Sequence, residues 1–400
     1  MRILLSAFAC QPGLGSEPGV GWNLATHLAR ENEVTVLTDV RNRPAIARSV
    51  DSWRGLELDF RFVEPPPTMR GRAHGTALHY LYYLAWQLTA KREAAELNAA
   101  NPFDLIHHAT YVNSWMPSLM GRLGVKFVWS AGTREVTPLS FLSPMSWNGR
   151  AAEVTRAVLI KVIGRANSHI TAKGAHLILS SSPTVKWSGG PKVVYFPMGG
   201  LPREEIRRLE GTPIRPDGAF RLISVGRLLA WKGVALGIAA FQRVLRDLPD
   251  SEYVIIGDGR ERPYLERQVR KLGIGGSVRF AGHLTRQDVF RDLKDADVLV
   301  HPSLHEQFGY VVVEAMAAGR PAVCLDIGPS PAVVGDQGGF RIPRTTPAEV
   351  IDQLAARLIE LGRNRDKLAE CGGAAQAWAL THWSWEAVTE RLTRLYAEVR

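Results

Sequence analysis

The sequence predicts an α/β protein built from two doubly wound, Rossmann-like parallel-sheet domains that face each other across a cleft. Three observations carry this. A chain of 400 residues is too long for one ordinary core and suits two domains of roughly 100 to 200 residues each. Short apolar, β-rich runs alternate with longer helix-like stretches in both halves, the pattern of parallel strands covered by helices. Between the halves, residues 197–218 read PMGGLPREEIRRLEGTPIRPDG, with Gly, Pro and charge concentrated as in a linker.

In the first half Ile3 to Phe8, Glu33 to Leu37 and Phe127 to Trp129 read as buried strands, with Gly21 to Arg30 and Leu81 to Ala99 as helices. The second half repeats the pattern more clearly. Arg221 to Val225, Tyr253 to Ile256, Val278 to Phe280, Val298 to Val300 and Ala322 to Leu325 are short apolar runs, each followed by a periodic helix. The expected division is residues 1–200, residues 201–382, and a terminal piece 383–400. In that last piece Trp385 to Val399 is an amphipathic helix that would pack back on the first domain.

Composition narrows the function. The opening MRILLSAFAC is one cation and a short apolar stretch ending at Gln11, Pro12 and Gly13, a first strand rather than a secretion signal. No apolar run approaches the ~20 residues of a membrane-spanning helix. Cys10, Cys324 and Cys371 are widely spaced and suggest neither a disulfide framework nor a zinc site, which fits a reducing cytoplasm. The net charge of +10 is uneven: Lys and Arg outnumber Asp and Glu 21 to 13 in residues 1–200, but only 28 to 26 in residues 201–400. A basic first half attracts polyanions such as anionic lipid or a lipid diphosphate. Peripheral contact with a membrane would use the basic stretch Ala151 to Lys192 and the aromatic stretch Tyr80 to Trp86. Nucleic acid is not expected, because no arginine-rich run, zinc module or RNP-type aromatic motif accompanies the charge.

Ligands of open α/β sheets bind beyond the carboxyl ends of strands, so the loops leaving the strands carry the candidate chemistry. The first is QPGLGSEPGVGW, Gln11 to Trp22, where Gly15 and Ser16 precede a helix whose N-terminus favours a phosphate. The second is SVGRLLAWKG, in which Arg227 and Lys232 give two cations for the two anionic groups of a diphosphate. The third is HPSLHEQFGYVVVEAMAAGRPAV. There Glu306 and Glu314 bracket Phe308 and Gly309, and the apolar run Val311 to Ala318 would bury Glu314 unless it meets a polar ligand. The two carboxylates lie within ~12 Å along a helix axis, a reach that suits the sugar and ribose hydroxyls of one nucleotide-sugar. The fourth is DLIHHATYVNSW, with His107 and His108 at a strand end, of which at most one is expected to face the cleft.

These stretches, with IGDGRERPYLE and VRFAGHL between them, resemble the retaining glycosyltransferases of family 4, which share the two-domain GT-B fold; GSEPGVGW and FDLIHHAT resemble a branch of that family working on bacterial cell-surface polysaccharides. The resemblance implies that Arg227 and Lys232 hold the donor diphosphate, Glu314 the ribose, and Glu306 with the N–H groups of Phe308 and Gly309 the transferred sugar. The loop at Gly15 and Ser16 would close over the phosphates, and backbone near Gly282 and His283 would meet the base. Residues 1–200 would bind the acceptor and residues 201–382 the nucleotide-sugar donor. It further implies hexosyl transfer with retention, no metal and no cofactor beyond the donor, and a glycan or lipid-linked acceptor on the cytoplasmic face of a membrane. Relatives read D-x-x-H-x-H, whereas counting from Asp104 puts Ala109 at the second histidine; His108 is assigned that role. Two competing readings are a sugar-nucleotide epimerase of the same fold and a non-catalytic scaffold subunit.

Overall fold

The computed structural model describes residues 1–66, 76–112, 116–184, 190–210, 213–215 and 217–399. Parts of three stretches singled out above lie outside the described residues: 113–115, 185–189 of the basic stretch, and 211–212 and 216 of the linker. By internal packing the chain forms two units. Unit 1 is Met1–Gly132, Lys161–Gly199 and the residues from Trp385 on; unit 2 is Thr133–Ile160 and Gly200–Ser384.

Unit 1 holds a seven-stranded sheet among the described residues. Its strands are β1 (Arg2–Ser6), β2 (Glu33–Asp39), β3 (Leu58–Val63), β4 (Leu105–His108), β5 (Lys126–Ala131), β6 (Leu177–Ser180) and β7 (Lys192–Tyr195). All pair in parallel in the order β3-β2-β1-β4-β5-β6-β7. Strands such as RILLS and LIHH are buried almost throughout because helices cover both faces, which is why they read as apolar runs without alternation. Unit 2 repeats the arrangement with β8 (Arg221–Val225), β9 (Glu252–Ile256), β10 (Val278–Gly282), β11 (Val298–His301), β12 (Ala322–Leu325) and β13 (Gly339–Ile342). Their order is β10-β9-β8-β11-β12-β13, again parallel. In both sheets the winding direction reverses next to the first strand, between β1 and β4 and between β8 and β11. Those reversals open a crevice at the strands' carboxyl ends, where doubly wound sheets bind ligands.

The units differ from a division at residue 200 in one segment. Thr133–Ile160 packs in unit 2 because Phe141 and Met145 are buried in its core with Phe220, Leu228 and Leu304. The terminal helix Trp385–Ala397 lies in unit 1, where Trp385 and Tyr396 are fully buried and the Tyr396 hydroxyl meets His107 Nδ1 at 2.6 Å. The aromatic stretch after Tyr80 is not a surface feature. Tyr82, Tyr83 and Trp86 are buried against Phe8 in the core of unit 1, and their helical spacing is that of a core face. Among the described residues no helix is long and apolar enough to cross a membrane.

Candidate functional site

The densest cluster of the expected residues lies in unit 2 at the β8/β11 reversal. β8 ends at Val225, and the chain turns through Gly226 to Arg227, which is exposed and makes no ion pair among the described residues. It then forms the short turn Ala230–Lys232, closed by Gly233 at φ 67°. A Cβ at Gly233 would stand 2.0 Å from the carbonyl oxygen of Pro302, so only glycine brings this turn against the loop after β11. That close approach lets the Lys232 ammonium meet the Glu306 carboxylate. His301, the last residue of β11, places Nε2 3.0 Å from the same carboxylate oxygen. Burial on its own would raise the Glu306 pKa; Lys232, then His301, more than reverse this and hold it well below the usual carboxylate range. Glu306 is therefore a fixed anion whose two partners are both nitrogen donors.

Two cavities flank His301. Both are open to solvent; one is lined by Gly226, Arg227 and Lys232, the other by Glu306, Phe308 and Gly309. The Phe308 ring packs against Trp383 and Tyr310, so only its backbone is available to a ligand. Gly309, at φ 88°, opens the helix Tyr310–Ala317. On that helix Glu314 is buried, and its carboxylate already has a partner, the Arg286 guanidinium at 3.0 Å, which also reaches Glu205 at 2.5 Å. Burial raises the Glu314 pKa and Glu205 adds to the effect, while Arg286 opposes it. The expectation that burial alone calls for a ligand is corrected accordingly: the protein supplies the counter-charge. Gly282 ends β10, where its carbonyl accepts the Gly257 N–H at 2.7 Å, and His283 beyond it is exposed.

In unit 1, Gly15 caps the helix Ser16–Leu28. Ser16 and Tyr111, at φ 62° and 60°, are the non-glycine residues in the left-handed region among those described. Both sit at the carboxyl edge of the sheet, and backbone strain of this kind persists where the surroundings enforce it. Glu17 does so for Tyr111, its carboxylate accepting the N–H of Val112 at 3.1 Å. The two histidines differ from expectation. Neither faces an open site: His107 is 0% and His108 2% exposed, because both faces of the parallel sheet are covered. His108 Nδ1 lies 3.2 Å from Ser118 Oγ and 3.4 Å from Ser6 Oγ, and its Nε2 lies 3.2 Å from Tyr83 Oη. His107 is held by Ser130 and Tyr396. Burial lowers their pKa values to about 3 for His107 and about 4 for His108, so both are neutral structural imidazoles. An external proton acceptor is not what this geometry makes of His108.

Sequence reasoning did not single out His301, Arg286, Glu205 or Glu17 as functional. His301 begins the HPSLHEQFG stretch, so its place was legible there; the other three become visible only when distant strands and helices are brought together.

Residues 207–378 match the family described as glycosyl transferases group 1. The chain is 33% identical over 180 residues to the glycogen synthase of Mycobacterium tuberculosis, covering 45% of this chain and 42% of that one. It is 31% identical over 176 residues to the GDP-mannose-dependent monoacylated alpha-(1-6)-phosphatidylinositol monomannoside mannosyltransferase of Corynebacterium glutamicum, covering 42% and 45%. The matched stretch thus spans less than half the length of these relatives. Among solved structures, sucrose-phosphate synthase of Thermosynechococcus elongatus superposes with TM-score 0.66 at 16% identity, over 100% of this chain and 98% of that one. Anabaena Alr3699/HepE in complex with UDP-glucose gives 0.60 at 19% identity, over 100% of each. Two Rossmann-like parallel-sheet units in this order constitute the GT-B fold of those structures.

Proposed function

We propose that the chain is a retaining, metal-independent glycosyltransferase moving a hexose from a nucleoside diphosphate sugar to a hydroxyl of a glycan or lipid-linked saccharide. The observation that carries this reading is the Lys232, Glu306 and His301 cluster beside the exposed Arg227 at the carboxyl ends of β8 and β11. It lies within the stretch that matches glycosyl transferases group 1. Arg227 and Lys232 take the donor diphosphate. Lys232 has three N–H donors, so it can meet a phosphate oxygen while keeping Glu306. The Glu306 carboxylate and the N–H groups of Phe308 and Gly309 receive the sugar hydroxyls, and Glu314 the ribose, sharing its charge with Arg286. In the transfer the sugar C1–O bond to phosphate breaks, and the acceptor oxygen bonds to C1 on the same face. The acceptor proton passes to the departing phosphate oxygen, whose charge the two cations stabilise as it develops. The loop at Gly15 and Ser16 meets the phosphates, and Gly282 and His283 the base. Anabaena HepE, which holds UDP-glucose, supports a donor of this class.

The test is incubation with UDP-, GDP- and ADP-hexoses and lipid-linked or soluble saccharide acceptors in the presence of EDTA. One nucleoside diphosphate should be released, with the anomeric configuration retained in the product. Absence of release from every donor and acceptor would refute the transferase reading.

Contact with an anionic, cytoplasmic membrane face belongs to the same reading. It is favoured by Val162, Ile163 and Ile170 of unit 1, which are 69, 42 and 44% exposed beside exposed Lys161 and Lys173. Co-sedimentation with phosphatidylglycerol vesicles but not with phosphatidylcholine vesicles is expected; equal recovery on both would contradict it.

A further inference from the structure

Thr133–Ile160 is the stretch of the first half that belongs to unit 2, and its polar contacts fall around the loops that carry Lys232 and Glu306. The Thr133 N–H donates to Gln307 Oε1 at 2.9 Å, and the Glu135 carboxylate accepts the Gly328 N–H at 2.9 Å. The Ser146 N–H donates to Glu261 at 3.1 Å. From the middle of the helix Trp147–Leu159, Glu153 brings Oε2 to 3.4 Å from His305 Nε2.

His305 in turn stacks on Trp231, with centroids 4.3 Å apart and ring planes at 20°. The Leu304 N–H donates to the Trp231 carbonyl at 2.7 Å, and the Ser303 hydroxyl to the same oxygen at 3.3 Å. Trp231 immediately precedes Lys232, and His305 immediately precedes Glu306. The stack therefore ties the same two loops together one residue before the ion pair does. Glu153 itself is 4% exposed and accepts the Thr137 hydroxyl at 2.5 Å, while Arg156 Nη1 stands 3.8 Å from the same carboxylate. Neither His305 Nε2 nor Arg156 Nη1 makes a hydrogen bond among the described residues, and the Glu153 carboxylate, 3.4 and 3.8 Å away, is the acidic group that faces both. Burial opposes its charge, but His305, Thr137 and Arg156 hold its pKa below the ordinary value.

We infer that Glu153 and His305 are positioning residues: Glu153 fixes the His305 ring on Trp231, and this stack sets the spacing at which Lys232 and Glu306 meet the donor. The inference rests on the transferase reading for its chemistry, but its geometry stands apart from it. A site of this kind needs its groups held to within ~0.5 Å, and an ~1 Å misplacement can lower turnover by 10²-fold.

The test compares Glu153→Leu, which removes the compensating charge, with Glu153→Gln, which keeps an acceptor at the same place. Turnover of the accepted nucleotide-sugar and calorimetric binding of its nucleoside diphosphate are measured on both. In Glu153→Leu, kcat should fall by about 30-fold, and the nucleoside diphosphate Kd should rise by a smaller factor, because Lys232 is displaced while Arg227 keeps its place. Glu153→Gln should recover most of kcat. A lower unfolding temperature with kcat unchanged in Glu153→Leu would show a purely structural carboxylate and overturn the proposal. Should Glu153→Leu not fold, His305→Gln, which abolishes the stack but offers Glu153 an amide, takes the same two measurements.

If the wild type turns over no nucleotide-sugar, the transferase reading fails and the positioning claim is read by imidazole NMR. His301 bonds Glu306 directly, so its signal, assigned with His301→Gln, should move in Glu153→Leu. Movement confined to His305 would overturn the proposal.

Discussion

Replacing Glu306 by Gln removes the charge that two nitrogen donors surround. The Glu306 side chain is 14% exposed, Lys232 17% and His301 7%, so the pair is mostly desolvated without being sealed from water. A hydrogen bond to a charged group contributes ~1.5–3 kcal/mol, and stranding one partner of a fully buried pair costs ~3–5 kcal/mol. With some solvent access left to the ammonium, a loss of about 2–3 kcal/mol is expected between these values. The double variant Lys232→Met with Glu306→Gln strands no charge and should be destabilised less than the sum of the two single changes, with a coupling of about 1–2 kcal/mol.

The sign with pH is fixed by the direction of the shift. The folded Glu306 pKa lies below the unfolded value, so its contribution is complete above about pH 5 and is lost as pH falls through and below about 4. Calorimetric unfolding from pH 3 to 8 reads both effects, with the two units fitted as separate transitions. For a unit of this size, ~1 kcal/mol moves Tm by ~2–4 °C, so the unit 2 transition of Glu306→Gln should fall by about 4–12 °C at pH 7, and by less at pH 3. A variant that unfolds with the wild type at pH 7, or single effects that simply add, would refute the reasoning.

Three further outcomes are expected. His108 has a folded pKa of about 4 against an unfolded ~6.5, so the wild type loses ~1.4 kcal/mol of stability per pH unit to this residue as pH falls between those values; His108→Gln should flatten that limb, and identical acid slopes would count against it. Tyr396→Phe removes the hydroxyl partner of buried His107 and should cost about 1–2 kcal/mol in the unit 1 transition, which urea unfolding measures; no change would mean that the bond is dispensable. Gly233→Ala forces a Cβ against the Pro302 carbonyl and a positive φ on a side chain; a loss above ~2 kcal/mol and weaker nucleotide binding are expected, and wild-type behaviour in both would contradict the tight turn.

The parts of the fold legible in the sequence were those written locally. Arg221–Val225 and Ala322–Leu325 are buried parallel strands whose apolar runs name themselves, and the turn residues at Gly226 and Gly233 mark the loop between β8 and the next helix. The Arg227, Lys232 and Glu306 cluster was legible because all three lie directly after strands that adjoin at a winding reversal. Thr133–Ile160 was not, since nothing local to Phe141 or Met145 says which of two cores they enter. At most one histidine of β4 was expected to face the cleft, and His108 was given that role by resemblance, whereas a parallel sheet with helices on both sides covers both. Glu314 was correctly read as buried, but its partner Arg286 comes from another helix and no spacing rule joins the two.

The most direct test of the central claim is calorimetric titration of UDP, GDP and ADP, in EDTA, into the wild type and into Arg227→Met. Arg227 is exposed, so its removal leaves the fold intact. One nucleotide should bind the wild type, and the substitution should weaken it by about 1.5–3 kcal/mol, roughly 10- to 100-fold, as loss of a charge-assisted hydrogen bond does. Binding of none of the three, or equal binding to both proteins, would contradict a diphosphate site at the end of β8.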